Sequence, residues 1–411
     1  DMDTMRDVHE PAPKMRRLDQ HCLMTANQAD DLVYRVQVAG ESDPLKCDPS
    51  LPTRTWKLAL DPRVWGHLSQ EEGERRVLEG SSLLVLGVAG TGKTHFLKGV
   101  TERLRAQGKV VDIVSKTHVA SRRAGGVTAD HWVRRYVLAG CPKCDVLWID
   151  EISQLDVGLW LQINKLAYTG MQLLLSGDFN QFAPLGNQFR GAQVVESAFE
   201  YSGLLHTLSS GNMVTLTECR RSDSELFSFY SSLIKGGTRY EIPLGEAVKQ
   251  AKYRFQLVGS ARWNLVISHQ RRIKLNRELN QAGAPPDAVR LEVSGKAAHG
   301  NSAQTMLIWA GLQLIGCVSS EKKGIRNGCL YTILSVGDDV VRFENVDASF
   351  TFDQIKQWLR LSCATTYASC QGTEFEGGLR LWDVGHKFFT RRHLFVGLSR
   401  SKSSAFIGLS N

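Results

Sequence analysis

The chain has 411 residues, 42% hydrophobic and 22% charged, with 50 Lys+Arg against 42 Asp+Glu for a formal net charge of +8. That length accommodates two or three domains with separate cores, and the apolar content excludes a chain disordered throughout. The cationic excess fits a polyanionic partner without specifying any chemistry. Nine cysteines lie without a repeating spacing, as expected of small buried hydrophobes in a reducing compartment rather than of a disulfide framework. No run of eighteen apolar residues and no secretory leader pattern occurs, so an intracellular protein is expected, nucleus and cytoplasm undistinguished, with no membrane span.

Residues 1–55 are polar and mixed, with Pro11, Pro13, Pro44, Pro49 and Pro52, and read as an N-terminal arm that could receive accessory proteins. From about Trp56 the periodicity strengthens. Strands are predicted at 82–86, 110–114, 146–149 and 172–176 with helical segments between them, the alternation of a parallel sheet with right-handed crossovers. The first of these runs into Gly87-Val-Ala-Gly-Thr-Gly-Lys-Thr94, a complete G-x-x-x-x-G-K-[ST] phosphate loop in the strand-to-helix context that gives the pattern meaning. Gly87, Gly90, Thr91 and Gly92 let backbone N–H groups face phosphates, Lys93 brings a cation to the β and γ positions, and the Thr94 hydroxyl suits Mg²⁺. A chance glycine-rich turn is the bland alternative.

Further along, Cys141-Pro142-Lys143-Cys144 could be half of a zinc site, a redox pair or an incidental turn, and no second pair at zinc spacing accompanies it. The apolar strand Val146–Ile149 ends in Asp150 and Glu151. Acids at the carboxyl end of such a strand sit where ligands of open α/β sheets bind, Asp150 for Mg²⁺ and Glu151 for the attacking water. The next strand ends at Gly177-Asp178, and Gln181 just beyond it is placed to meet a γ-phosphate or its water; a polar turn closed by Pro184 is the alternative. A second stretch mixing strands and helices begins near Val214. Within it, 306–357 holds short apolar runs at 312–315, 331–336 and 340–343 broken by glycines, a pattern of a small inserted barrel. Asn327-Gly328 is equally a plain hairpin turn. The Arg271-Arg272-Ile273-Lys274 and Arg391-Arg392 clusters could touch phosphates or be solvated helix faces.

The order of these blocks resembles superfamily 1 helicases of the PIF and RecD/Dda type. GVAGTGKT, Ile149-Asp-Glu-Ile-Ser153 and Gly177-Asp-Phe-Asn-Gln-Phe-Ala-Pro-Leu185 are similar to motifs I, II and III. Ser115–Ala120 is similar to motif Ia, and Gly125–Thr128 with His131 and Trp132 to the GG-x-T-x-x-H segment after it. Leu216–Asp223, Ala364–Thr373 and Phe395–Arg400 are similar to motifs IV, V and VI.

The resemblance implies an α/β protein with two RecA-like domains in tandem and a small SH3-like β-barrel inserted in the second. Its domains would be 56–206 for the first, 207–302 with 359–411 for the second, and 303–358 for the insertion. ATP would bind in the cleft, Mg²⁺ on Thr94 and Asp150, with Lys93, Glu151 and Gln181 on the first wall, Arg400 on the second, and Gly372 beside the nucleotide. Spacing to Asp223 favours Arg220 as a second arginine and the Arg-Ser pair favours Arg221, so both remain candidates. Lys116, Thr117, Thr128 and His131, with Thr366, Ser369 and Gln371, would hold a single-stranded backbone; Trp132 could stack on a base or sit in the core. The implied activity is ATP-driven movement 5′ to 3′ on single-stranded DNA by a monomer. An RNA helicase of viral replication type, and an ATPase switch that does not unwind, are the alternatives. Two departures stand out: after Leu68 the glutamine comes at Gln70, out of register for the adenine-reading element, and only about a dozen residues separate Trp132 from the acid-bearing strand, where relatives insert a wedge.

Overall fold

A computed structural model describes residues 64–138, 142–184, 187–189, 192–193, 203–293, 304–320 and 323–411. The expected arm at 1–55 and Cys141 of the C-x-x-C pair lie outside the described residues.

Seven strands form a parallel sheet in the order Gly66–Leu68, Asn212–Leu216, Leu83–Gly87, Gln172–Gly177, Val146–Asp150, Val111–Ser115, Val127–Thr128. Its central strands show why the runs are continuously apolar. Leu84, Leu147, Ile149, Leu173 and Leu175 face one core with Trp132 and Trp160, whereas Leu83, Val85, Val146, Trp148 and Leu174 face another with Val77, Leu97 and Leu104. Alternate side chains of a pleated strand point to opposite faces, so a sheet covered on both sides needs hydrophobes at every position. Helix Gln70–Leu78, capped by the Ser69 side chain accepting from the Glu72 N–H, and helix Lys93–Ala106 supply Val77, Leu97 and Leu104 to the second core.

The strand Asn212–Leu216 lies between Gly66–Leu68 and Leu83–Gly87, so the first sheet continues past the boundary expected at 206. Val214 and Leu216 pack into the first domain's core, a long-range preference that a five-residue apolar run does not reveal.

A second, four-stranded parallel sheet runs Ala364–Thr366, Trp263–Val266, Leu379–Leu381, Ile407–Leu409. Helices Ser224–Ser231, Leu244–Arg254 and Arg391–Leu398 close a core around Phe229, Tyr230, Leu265, Tyr367 and Phe395. The insertion is a five-stranded antiparallel sheet in the order Val346–Thr351, Val340–Phe343, Leu330–Val336, Gln313–Gly316, Leu359–Leu361, with its own core of Leu314, Ile333, Val341, Phe350 and Leu361. Among the described residues no pairing joins the outer strands, so the expected small barrel is seen as an antiparallel sheet. Leu359–Leu361, placed by the expected boundary in the second domain, is its edge strand. No helix among the described residues is long and apolar enough to cross a membrane.

Candidate nucleotide site

The phosphate loop needs its glycines for backbone reasons. Gly90 and Gly92 have φ of 91° and 88°, and Gly92 is the N-cap of the helix Lys93–Ala106 without any side-chain cap, which leaves the helix's first N–H groups for an anion. A Cβ at Gly87 would meet the Leu216 carbonyl at 2.7 Å. The loop is braced from outside: the Ala89 N–H donates to Asp178 Oδ2 at 2.9 Å, and the Tyr230 hydroxyl donates to the Ala89 carbonyl at 2.9 Å. Lys93 is buried and its Nζ donates to the Gly87 and Val88 carbonyls at 2.7 and 3.3 Å. Burial holds its ammonium below the usual lysine range, against the opposing charges of Asp178, Glu151 and Asp150. A cation held among acceptors in a dry loop is poised for phosphate oxygens.

Strand Val146–Asp150 delivers the acids. Asp150 is buried, accepting from Ser176 Oγ at 2.6 Å and from Thr94 Oγ1 at 3.3 Å. Glu151 adopts φ 55° and ψ 48°, a left-handed conformation that a non-glycine residue keeps where its surroundings over-determine it, often at functional sites. Gln181 is buried, and among the described residues its Oε1 has no hydrogen-bond partner. A buried amide oxygen without a donor suits a water or hydroxyl.

Ala89, Gly90, Gly92, Lys93, Thr94, His95, Glu151 and Gln181 share a cavity of about 550 Å³ with Arg220, Arg221, Glu374, Arg400 and Lys402. Arg400 is buried, its guanidinium donating to the Val396 and Thr373 carbonyls at 3.3 and 3.4 Å and to Ser399 Oγ at 3.2 Å. Arg221 donates to the Ser399 carbonyl at 3.2 Å and pairs with Glu374 at 2.6 Å. Arg220 is exposed, with its backbone N–H on the Gly90 carbonyl at 2.8 Å. Both motif IV arginines therefore reach the cavity, one bonded to an acid and one leaning over the loop.

A second cavity of about 220 Å³ shares Gly92, His95 and Arg220 with the first and adds Gln70, Glu74, Thr91, Phe96 and Arg103. The out-of-register Gln70 is nonetheless there, at the first position of the helix that Ser69 caps. Thr91 lines this cavity, its hydroxyl donating to the Val88 carbonyl at 2.8 Å. Gly372 lines neither cavity; with φ 76° it sits against Ala120, whose Cβ is 3.4 Å from where its own would stand. Asp178, Tyr230, Glu374 and Lys402 belong to the site and were not singled out from sequence. Asp178 follows the strand-ending Gly177 as Glu151 follows the strand-ending Asp150, a signal present in the sequence; the others carry none locally.

The expected nucleic-acid contacts divide. Trp132 is a core residue, 1% exposed with its indole Nε1 donating to Asp112 Oδ2 at 2.7 Å, so it does not stack on a base: burial in the first core outweighs that reading. Lys116 is bonded to Asp156 at 2.6 Å and to Asp130. Thr117 Oγ1 accepts from the Ala120 N–H at 3.2 Å, Thr128 precedes a short helical turn without a side-chain capping bond, and His131 is exposed. On the second domain the Thr366 hydroxyl donates to Ser369 Oγ at 2.8 Å. Gln371 is buried and donates to the Phe182 carbonyl at 3.1 Å, a domain-bridging contact. The arginine clusters are used internally as well: Arg271 approaches Asp383 at 3.7 Å, and Arg391 donates to the Arg239 and Ile242 carbonyls. Cys144 is buried, its thiol pushed up to about 12 by burial and then by Asp112. Among the described residues no group of three His, Cys, Asp or Glu could hold a metal.

Fold and cavity together define a P-loop nucleotide-binding protein built on two RecA-like domains. Residues 68–240 match the AAA domain family. By sequence and fold the chain is similar to PIF1 helicases. It is 29% identical over 177 residues to ATP-dependent DNA helicase PIF1 of Rattus norvegicus, covering 35% of this chain and 28% of that protein. The Homo sapiens PIF1 match is 29% over 198 residues, 41% of this chain and 30% of that protein. The matched part is thus under a third of those relatives' length. Pif1 helicase from Candida albicans superimposes with a TM-score of 0.61 at 20% identity, covering 84% of this chain and 95% of that one, and Bacteroides Pif1 bound to ssDNA with 0.58 at 18%, covering 83% and 92%. These likenesses carry the fold.

Proposed function

We propose that the protein is an ATP-dependent DNA helicase or translocase moving 5′ to 3′ on single-stranded DNA. The observation that carries the reading is one cavity in which Lys93, Thr94, Glu151 and Gln181 of the first domain meet Arg220, Arg221 and Arg400 of the second. Lys93 and the loop N–H groups bind the phosphates, Glu151 takes the proton of the attacking water, and Gln181 Oε1 orients that water. The second-wall arginines stabilise charge on the transferred phosphoryl group, an effect of about 10³- to 10⁵-fold in related systems. Thr94 and Asp150 would hold Mg²⁺, which supplies charge neutralisation between the phosphates. Gln70 and Phe96 in the adjoining cavity are the candidates for reading the base. The antiparallel insertion is read as the counterpart of the small SH3-like barrel.

Relatives named DNA helicases support DNA over RNA, and the hydroxyl and amide groups of Thr117, Thr128, Thr366 and Ser369 suit backbone contacts without sequence. A translocating ATPase that separates strands weakly is the second reading. It is favoured by the connection between Trp132 and Val146, where among the described residues only the single turn Val133–Val137 is found. Steady-state hydrolysis by the chain alone, with single-stranded DNA and with single-stranded RNA at fixed low salt, tests the proposal. Stimulation by DNA of about ten-fold, or ~1.4 kcal/mol off the barrier, is expected; stimulation by RNA alone moves the substrate, and none by either overturns the motor. A tailed duplex beside a streptavidin-displacement assay separates unwinding from translocation.

A further inference from the structure

The cations on the cavity's second wall are not equivalent. Among the described residues the ion pairs on that wall are Arg221–Glu374 at 2.6 Å and Lys402–Glu376 at 2.8 Å. Glu376 is outside the cavity lining, whereas Glu374 is in it with Arg221. The Arg221 and Glu374 side chains are 12% and 30% exposed, so their bond is better shielded than a surface pair. The other arm of the guanidinium donates to the Ser399 carbonyl, which fixes it at two ends. Glu374 follows Thr373, whose carbonyl accepts from Arg400. One short turn therefore positions both arginines.

This arrangement puts a carboxylate where phosphate charge is to be bound. A carboxylate 2.6 Å from Arg221 neutralises the charge that a terminal phosphate would use, and it repels that phosphate directly. A terminal phosphate competes with Glu374 for the Arg221 guanidinium, and only a ligand offering an anion at that place offsets the loss of that bond. A β-phosphate deeper in the loop does not.

Resting on the nucleotide reading above, we propose that Glu374 is a positioning residue that withholds Arg221 and yields it to the terminal phosphate of a nucleoside triphosphate. The pair thereby limits how far the site prefers triphosphate over diphosphate, because only the triphosphate has to displace Glu374. When the competent arrangement is only a minor fraction of the population, apparent affinity falls by that fraction. Removing the carboxylate's charge restores it.

The test is equilibrium binding of a fluorescent non-hydrolysable ATP analogue and of fluorescent ADP to the full chain with Mg²⁺, with thermal melts confirming folding. Glu374→Gln keeps the shape and an acceptor oxygen but removes the charge. It is expected to tighten the triphosphate analogue by about ten-fold while ADP changes by less than about two-fold, and the gain should vanish in Glu374→Gln with Arg221→Ala. An unchanged affinity, a weakening of both ligands, an equal gain for both, or a gain that persists without Arg221 overturns the inference. If the wild-type chain binds neither nucleotide, the nucleotide reading falls and this inference with it. If binding is lost in Lys93→Ala but is indifferent to Glu374→Gln, this inference falls alone.

Discussion

The side-chain amide of Gln371 donates to the backbone carbonyl of Phe182 at 3.1 Å, so the segment after strand Ala364–Thr366 is bonded to the residue next to Gln181. Phe182 also packs edge-on against His393, with ring centroids 4.7 Å apart. The loop that carries Gln181 into the nucleotide cavity thus touches the second domain at the base of its proposed nucleic-acid segment. Gln371→Ala removes one buried hydrogen bond across this joint, a change of about 1 kcal/mol. Hydrolysis with single-stranded DNA should fall several-fold more than hydrolysis without it. Equal loss in both assays would mean that the bond supports the cavity and not its communication with the strand.

Lys93→Ala removes the loop's buried cation. Nucleic-acid-stimulated ATP hydrolysis should drop by about 10²-fold or more, the scale on which a positioned phosphate-stabilising group acts. A phosphate-release assay on the purified variant checks this, and retained activity would sink the site assignment.

Asp178 holds the Ala89 N–H at the turn of the phosphate loop and also accepts from the Asn180 N–H at 3.0 Å. Replacing it with Ala leaves a buried donor unsatisfied and removes a charge-assisted bond, together about 1.5–3 kcal/mol. Nucleotide affinity should weaken by roughly ten-fold, measured by titration, with single-stranded DNA binding in the absence of nucleotide changed far less.

Trp132 fills the first domain's core and anchors its indole on Asp112. Trp132→Ala should lower the free energy of unfolding by about 3–5 kcal/mol, read from urea denaturation. Trp132→Phe retains most of the packing, and its folded fraction should bind single-stranded DNA like the parent. Weakened binding by a well-folded Trp132→Phe would restore the stacking role that burial argues against.

Burial, and then the neighbouring Arg392 charge, lowers the His393 imidazole from 6.5 to about 4. Neutral, its Nδ1 accepts from the Thr390 N–H at 3.1 Å and closes the capping box of helix Arg391–Leu398. The unfolded chain takes up that proton more readily than the folded one. Its contribution to stability is therefore complete above about pH 6.5 and declines as pH falls through the window toward 4. Melting temperature should decline across that window. His393→Gln, which keeps an acceptor at the same position of the box, should flatten that part of the profile.

What the sequence determined by itself was local. A glycine loop between an apolar strand and a helix, and a strand ending in Asp150-Glu151, follow from backbone sterics and periodicity within a dozen residues. The alternation of Leu83, Leu84 and Val85 between two cores is likewise written in a run that is apolar at every position. Only the tertiary structure decided the rest, because it depended on residues far apart in the chain. Asn212–Leu216 joins the first sheet through partners at Gly66–Leu68 and Leu83–Gly87. Trp132 is buried by strands on either side of it in sequence, Gln70 shares the second cavity with Phe96 and Leu216, and Arg221 is claimed by Glu374 from the far side of the insertion. Local preferences specify which element forms. Packing of one element on another, which no short window contains, specifies what each side chain faces.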